Sequence, residues 1–247
     1  MLETIYTIPV NEAFDASLND TPKRCPFCRL YEMLGKNELE RILGAAMMDP
    51  DVRIRTNELG FCRRHFDKMY TAPNRLSFGL ILESHLASIE EDMKKSIGDL
   101  VLGSGAKAGK KLKTLEGSCY VCDRIEASFS KMIDNAVYLW DSDGDFKKKV
   151  AAEPFYCLPH FRRFIESGKD QLASKQYKLF YDSVYKVTAG YLSELSGDVS
   201  WFCKKFDYRY ENEPWGDAKD APERAKLFLG GNLHVHEDVK KPSDGLT

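Results

Sequence analysis

No apolar run in this 247-residue chain approaches the ~18–20 residues that a membrane span requires. The N-terminal stretch MLETIYTIPVNEAF lacks both the basic region and the long apolar core of a secretory signal, so the expected compartment is the cytoplasm. Charge of one sign is missing too. The 36 Lys and Arg are offset by 38 Asp and Glu, leaving −2, which carries no signal for nucleic acid or an anionic membrane. No Gly pattern matches a P-loop, and no His-Glu-x-x-His supplies a zinc-bound general base.

Seven cysteines are present. In a reducing compartment they point to metal ligation rather than to a disulfide framework. Six of them fall into a pattern that occurs twice. Cys25-Pro-Phe-Cys28 is followed, after 33 residues, by Cys62-Arg-Arg-His65; Cys119-Tyr-Val-Cys122 is followed, after 34, by Cys157-Leu-Pro-His160. The flanks align as well, Glu58-Leu-Gly-Phe with Glu153-Pro-Phe-Tyr, and the offset between copies is 94 residues at one pair and 95 at the other. The simplest explanation is a duplicated unit. The expected organisation is a first repeat over residues 1–97, a flexible Gly/Lys-rich linker over 98–118, a second repeat over 119–210, and a closing helix with a loose tail over 211–247.

Both repeats read as all-α. Arg29–Met48 carries Leu30, Met33, Leu34, Ile42, Leu43 and Met47 near helical spacing, with Pro26 suited to a first helical position and Cys25 to an N-cap. Val52–Thr56 alternates and is expected to be a short strand or extended arm. Helices are predicted from about Cys62 to Tyr70, after Pro73-Asn74, from about Tyr120 to Trp140, after the polar turn Asp141–Asp145, and near Pro159. A longer one is predicted over Asp170–Leu195, resuming after Gly197, and its apolar residues on more than one face suggest burial between neighbours.

A Cys-x-x-Cys alone could be a redox dithiol. The repeated Cys-x-x-His partners argue instead for two tetrahedral sites, for which three thiolates and an imidazole suit zinc, with iron the other metal the ligand types accept. The expected groupings follow the repeats: Cys25, Cys28, Cys62 and His65 in one site, Cys119, Cys122, Cys157 and His160 in the other. Four protein ligands apiece describe structural sites, since catalytic zinc keeps an open position. His85 is expected to be a packed histidine on an apolar helix face, Cys203 a buried small hydrophobe, and His234 and His236 part of a polar tail. Arg63 and Arg64 beside the first site could touch an anion and are equally well explained as solvated charges.

The motifs CPFCRLYE, GFCRRHF, CYVCDRIE, FYCLPHF and EPWGDAKDAPERA together resemble an uncharacterised domain-of-unknown-function family found mainly in anaerobic Gram-positive bacteria. The resemblance spans roughly Glu3–Leu229. It implies the eight ligand positions and a single-unit architecture, and no substrate. The functional expectation is a non-enzymatic, zinc-stabilised interaction or regulatory protein, for which an unidentified protein partner is one possibility. The other readings are a thiol-based redox protein, either a zinc-thiolate switch or a dithiol oxidoreductase, and an enzyme with its site in a cleft between the repeats.

Overall fold

The computed structural model describes residues 6–101 and 106–231. Among these residues there are eleven α-helices and no strand. In chain order they are α1 (Thr7–Asn19), α2 (Pro26–Ile42), α3 (Pro50–Leu59), α4 (Arg63–Thr71), α5 (Arg75–Val101), α6 (Ala106–Gly117), α7 (Tyr120–Ser142), α8 (Gly144–Ala152), α9 (Leu158–Gln171), α10 (Ser174–Lys204) and α11 (Ala221–Gly230). None of them is long and apolar enough to cross a membrane.

Three local readings change. Val52–Thr56 lies inside α3, neither strand nor arm. Pro50 occupies the first turn and the Asp49 carboxylate accepts from Asp51 N at 2.9 Å, so a strong helix start outweighs a brief alternation. Much of the segment read as a linker is helical, because α6 fills Ala106–Gly117. Its Lys and Ala residues are good helix formers, and Gly109 alone does not break the run. The long helix α10 begins at Ser174 and runs unbroken through Gly197, a position whose cost of about 1 kcal/mol is offset by packing elsewhere along 31 residues. It buries Phe180, Val184, Thr188 and Leu195, while Leu179, Tyr185 and Leu192 are about half exposed, so one face is solvated.

The described residues form two units, one of residues 6–33 with 128–231, the other of residues 34–101 with 106–127. The boundaries fall within α2 and α7, and not between the sequence repeats. The first unit has an aromatic core. Phe14 meets Phe27 edge-on at 5.4 Å between centroids, Phe27 meets Phe164 at 4.8 Å, Phe164 meets Phe180 at 4.7 Å, and Trp140 meets Phe180 at 5.1 Å. Each ring here is essentially inaccessible, and burying side chains of this size supplies much of the driving force for folding.

The second unit has a lighter core of Ile42, Leu43, Met47, Phe61, Met69, Phe78, Ile81 and Ile125. Within it, the later part of α2 and the start of α7 run antiparallel. A side chain at Gly35 would touch Ile125, Glu38 approaches Arg124, and Arg41 donates to the Tyr120 hydroxyl at 2.6 Å. His85 is buried here as expected, its ring against Gly60 and Phe61.

Candidate metal centres

All four Cys-containing motifs sit at helix starts. Cys62 and Cys157 are the N-caps of α4 and α9, with nearly identical backbone angles (φ −68°, ψ 156° and φ −62°, ψ 151°). Their carbonyls accept from Phe66 N at 3.0 Å and Phe161 N at 2.8 Å. Cys25 and Cys119 play the same part before α2 and α7, with carbonyls accepting from Arg29 N and Asp123 N. An N-cap side chain and the side chain three residues on share one side of the first turn, the geometry that a capping box exploits. Here that geometry turns each motif into a two-pronged donor. Cys62 Sγ is 3.3 Å from His65 Nδ1, and Cys157 Sγ is 3.1 Å from His160 Nδ1.

The donors assemble into two groups, each with all four ligand atoms within 4.8 Å of one another. Their membership corrects the grouping expected from the repeats. Cys25 and Cys28 join Cys157 and His160; Cys62 and His65 join Cys119 and Cys122. The reason lies in helix lengths. In each repeat the Cys-x-x-Cys opens a long outgoing helix, while the helix before the Cys-x-x-His is short. The pairs are 17 and 10 residues for α2 and α3, and 23 and 9 for α7 and α8. At ~1.5 Å per residue the return falls roughly 10–20 Å short.

Both groups fit a tetrahedral ion. Zinc at about 2.3 Å from sulfur and 2.0–2.1 Å from nitrogen would set sulfurs about 3.8 Å apart and sulfur–nitrogen pairs about 3.6 Å apart. In the first centre Cys28 and Cys157 are 3.7 Å apart, and His160 Nδ1 lies 3.7, 3.5 and 3.1 Å from Cys25, Cys28 and Cys157. In the second, Cys62 and Cys122 are 3.9 Å apart, and His65 Nδ1 lies 3.3, 3.3 and 3.4 Å from Cys62, Cys119 and Cys122. Each centre could therefore hold a metal ion.

The electrostatics ask for a cation. Hydrogen bonds from Cys119 and Cys122 pull the Cys62 thiol far below its ordinary range. Burial opposes ionisation of Cys25, yet hydrogen bonds from Cys157, Cys28 and His160 outweigh it and lower its pKa as well. Sharing their protons with these neighbours pushes Cys122 and Cys157 up. One thiol in each cluster, Cys25 or Cys62, is thus pulled toward its ionised form, and three thiolates could coexist at these distances only around a positive ion.

The surroundings of the two centres differ. His160 packs against Phe129 at 5.1 Å and Phe27 at 5.9 Å, and its buried Nε2 has no hydrogen-bond partner among the described residues. The end of α11 covers this centre. Gly231 has φ +57°, and a Cβ there would come within 2.8 Å of Cys157 Sγ. Glu153 lies buried in the same unit and accepts from Ser17 Oγ at 2.5 Å, and burial pushes its pKa up to about 9. The second centre is held by backbone instead. Tyr120 N donates to Gly60 O at 3.0 Å, and Ser118 Oγ to Leu59 O at 2.7 Å, tying the start of α7 to the approach to α4.

A family of unknown function, DUF6062, matches residues 1–236. The chain belongs to this family. No curated protein and no solved structure matches it. All eight clustered Cys and His residues of this DUF6062 chain lie within the matched span.

Among the remaining candidates, Cys203 is exposed, not buried, because it falls on the solvated side near the end of α10. Arg63 is solvated and pairs with Asp67 at 2.9 Å, and Arg64 is exposed. His234 and His236 lie outside the described residues. Gly231 and Glu153 escaped the sequence reading. The Gly230-Gly231 pair after a short helix is a legible C-cap signal, but what it caps against is not. Nothing in the sequence marks Glu153 as buried.

Proposed function

We propose that the protein is a zinc-stabilised interaction or regulatory protein of the cytoplasm, in which Cys25, Cys28, Cys157 and His160 hold one structural zinc and Cys62, His65, Cys119 and Cys122 hold another. The observation that carries this reading is the closure of each centre. Four protein donors converge at helix starts, at separations suited to a tetrahedral ion and with no position left over for substrate. Two duplicated units that exchange their Cys-x-x-His arms account for the repeated motifs. Binding of each ion would contribute directly to folding, because the unfolded chain has no assembled site. Three thiolates and one imidazole favour zinc over harder cations.

Elemental analysis with a free-thiol count, on protein purified without added metal, tests the reading. Close to two zincs per chain, with six thiols unreactive until a chelator is added, is the expected result. Iron in place of zinc would revise the cofactor. Metal-free protein with six freely reactive thiols would end the proposal.

A further inference from the structure

The two centres are not chemically equivalent. In the first, all four donors are buried, Cys25 and Cys157 almost completely, and the backbone of Gly231 closes over Cys157. In the second, His65, Cys119 and Cys122 are buried, but Cys62 is only partly so, alone among the eight. It is the N-cap of α4, and the two residues that follow it, Arg63 and Arg64, are both exposed. Its sulfur lies 3.9 Å from Cys122 Sγ, a resolving partner already in place.

We infer that the second centre is a peroxide-responsive zinc site, with Cys62 as its point of attack, while the first is a permanent one. This rests on the zinc reading above and deepens it. Reactivity of a thiolate follows its access to the oxidant, and partial exposure with a neighbouring resolving sulfur is the arrangement of a redox-sensing cysteine. The Cys62 thiolate attacks one oxygen of hydrogen peroxide. The O–O bond breaks, hydroxide leaves, and a sulfenic acid forms on Cys62. The Cys122 thiolate then attacks that sulfur, the S–O bond breaks, a second hydroxide leaves, and a Cys62–Cys122 disulfide results. Two electrons pass from the paired sulfurs to the peroxide, and two solvent protons convert the hydroxides to water. Only Cys119 and His65 remain as donors, so the zinc departs and the Cys62–Cys122 bond replaces the metal as the link between α4 and the start of α7.

The test uses the full chain as purified with its zinc. Dilute hydrogen peroxide is added, released zinc is followed with a chromogenic chelator, and the thiols are mapped by alkylation and mass spectrometry. The expected course is one zinc released together with a Cys62–Cys122 disulfide, while Cys25, Cys28 and Cys157 stay protected at least about tenfold longer. Two zincs lost at one rate, loss from the Cys25 centre first, or release without oxidation of Cys62 would each overturn the inference and leave the two-zinc reading standing. Protein that carries no zinc before peroxide is added would overturn both.

Discussion

Cys28 and Cys157 stand 129 positions apart in the chain, yet their sulfurs are 3.7 Å apart. Mutants can read this partition directly. Cys28→Ser and Cys157→Ser should each remove one zinc, and the double variant should still retain the other. Combining Cys28→Ser with Cys62→Ser should remove both. Zinc per chain, measured by elemental analysis, checks it. A Cys28/Cys62 double variant that keeps one zinc would restore the grouping within repeats.

That partition was the part of the site the sequence did not reveal. The eight Cys and His positions stand out because the pattern recurs at nearly equal spacing, and helix-start chemistry follows from Pro26, Pro159 and the Cys N-caps. Proximity in sequence then suggested the wrong partners. It is a weak guide, since loop-closure entropy grows only logarithmically. Stretching the closed loop from the 33 residues between Cys28 and Cys62 to the separation of Cys28 and Cys157 costs only about 1 kcal/mol more. The difference between a long outgoing helix and a short return helix decides the matter. The expectation of an extended Val52–Thr56 hides that difference.

Gly231 should matter to one centre alone. Gly231→Ala places a methyl against Cys157 Sγ at a backbone angle that disfavours any side chain. Zinc affinity of the Cys25 centre should fall about 10–100-fold, as for other disturbed surroundings of metal ligands, with the Cys62 centre unchanged. Competition with a calibrated chelator, site by site, would show it. Equal weakening of both centres would contradict the geometry.

Gly168 is a packing requirement of another sort. It is buried in α9, and a Cβ there would come within 2.3 Å of the Phe180 ring. Gly168→Ala should therefore cost about 1–3 kcal/mol through overpacking, despite the better helix propensity of Ala. Denaturant titration measures the loss. A stabilised variant would mean that α9 and α10 do not approach so closely.

Glu153 gives the protein a pH dependence with a definite sign. Its pKa rises from an ordinary 4.5 to about 9 on folding, chiefly through burial. Between those values the folded chain holds a proton that the unfolded chain has released. This contribution is complete below pH 4.5 and is lost as pH rises, with a slope of at most about 1.4 kcal/mol per pH unit. Glu153→Gln keeps a group able to accept from Ser17 and should flatten the profile, gaining on the parent most at pH 8–9. Unfolding curves at pH 5, 7 and 9 for both proteins compare them, and parallel profiles would place the titration elsewhere.

The crossed pairing also sets a timetable for the nascent chain. The donors Cys62, His65, Cys119 and Cys122 are complete as soon as Cys122 leaves the ribosome. Cys25 and Cys28, although made first, must wait for His160. At roughly 5–20 residues per second, the 132 positions from Cys28 to His160 take about 7–26 s. During that interval Cys25 and Cys28 wait for the other half of their site, and the centre that ends most deeply enclosed would be the last to receive an ion.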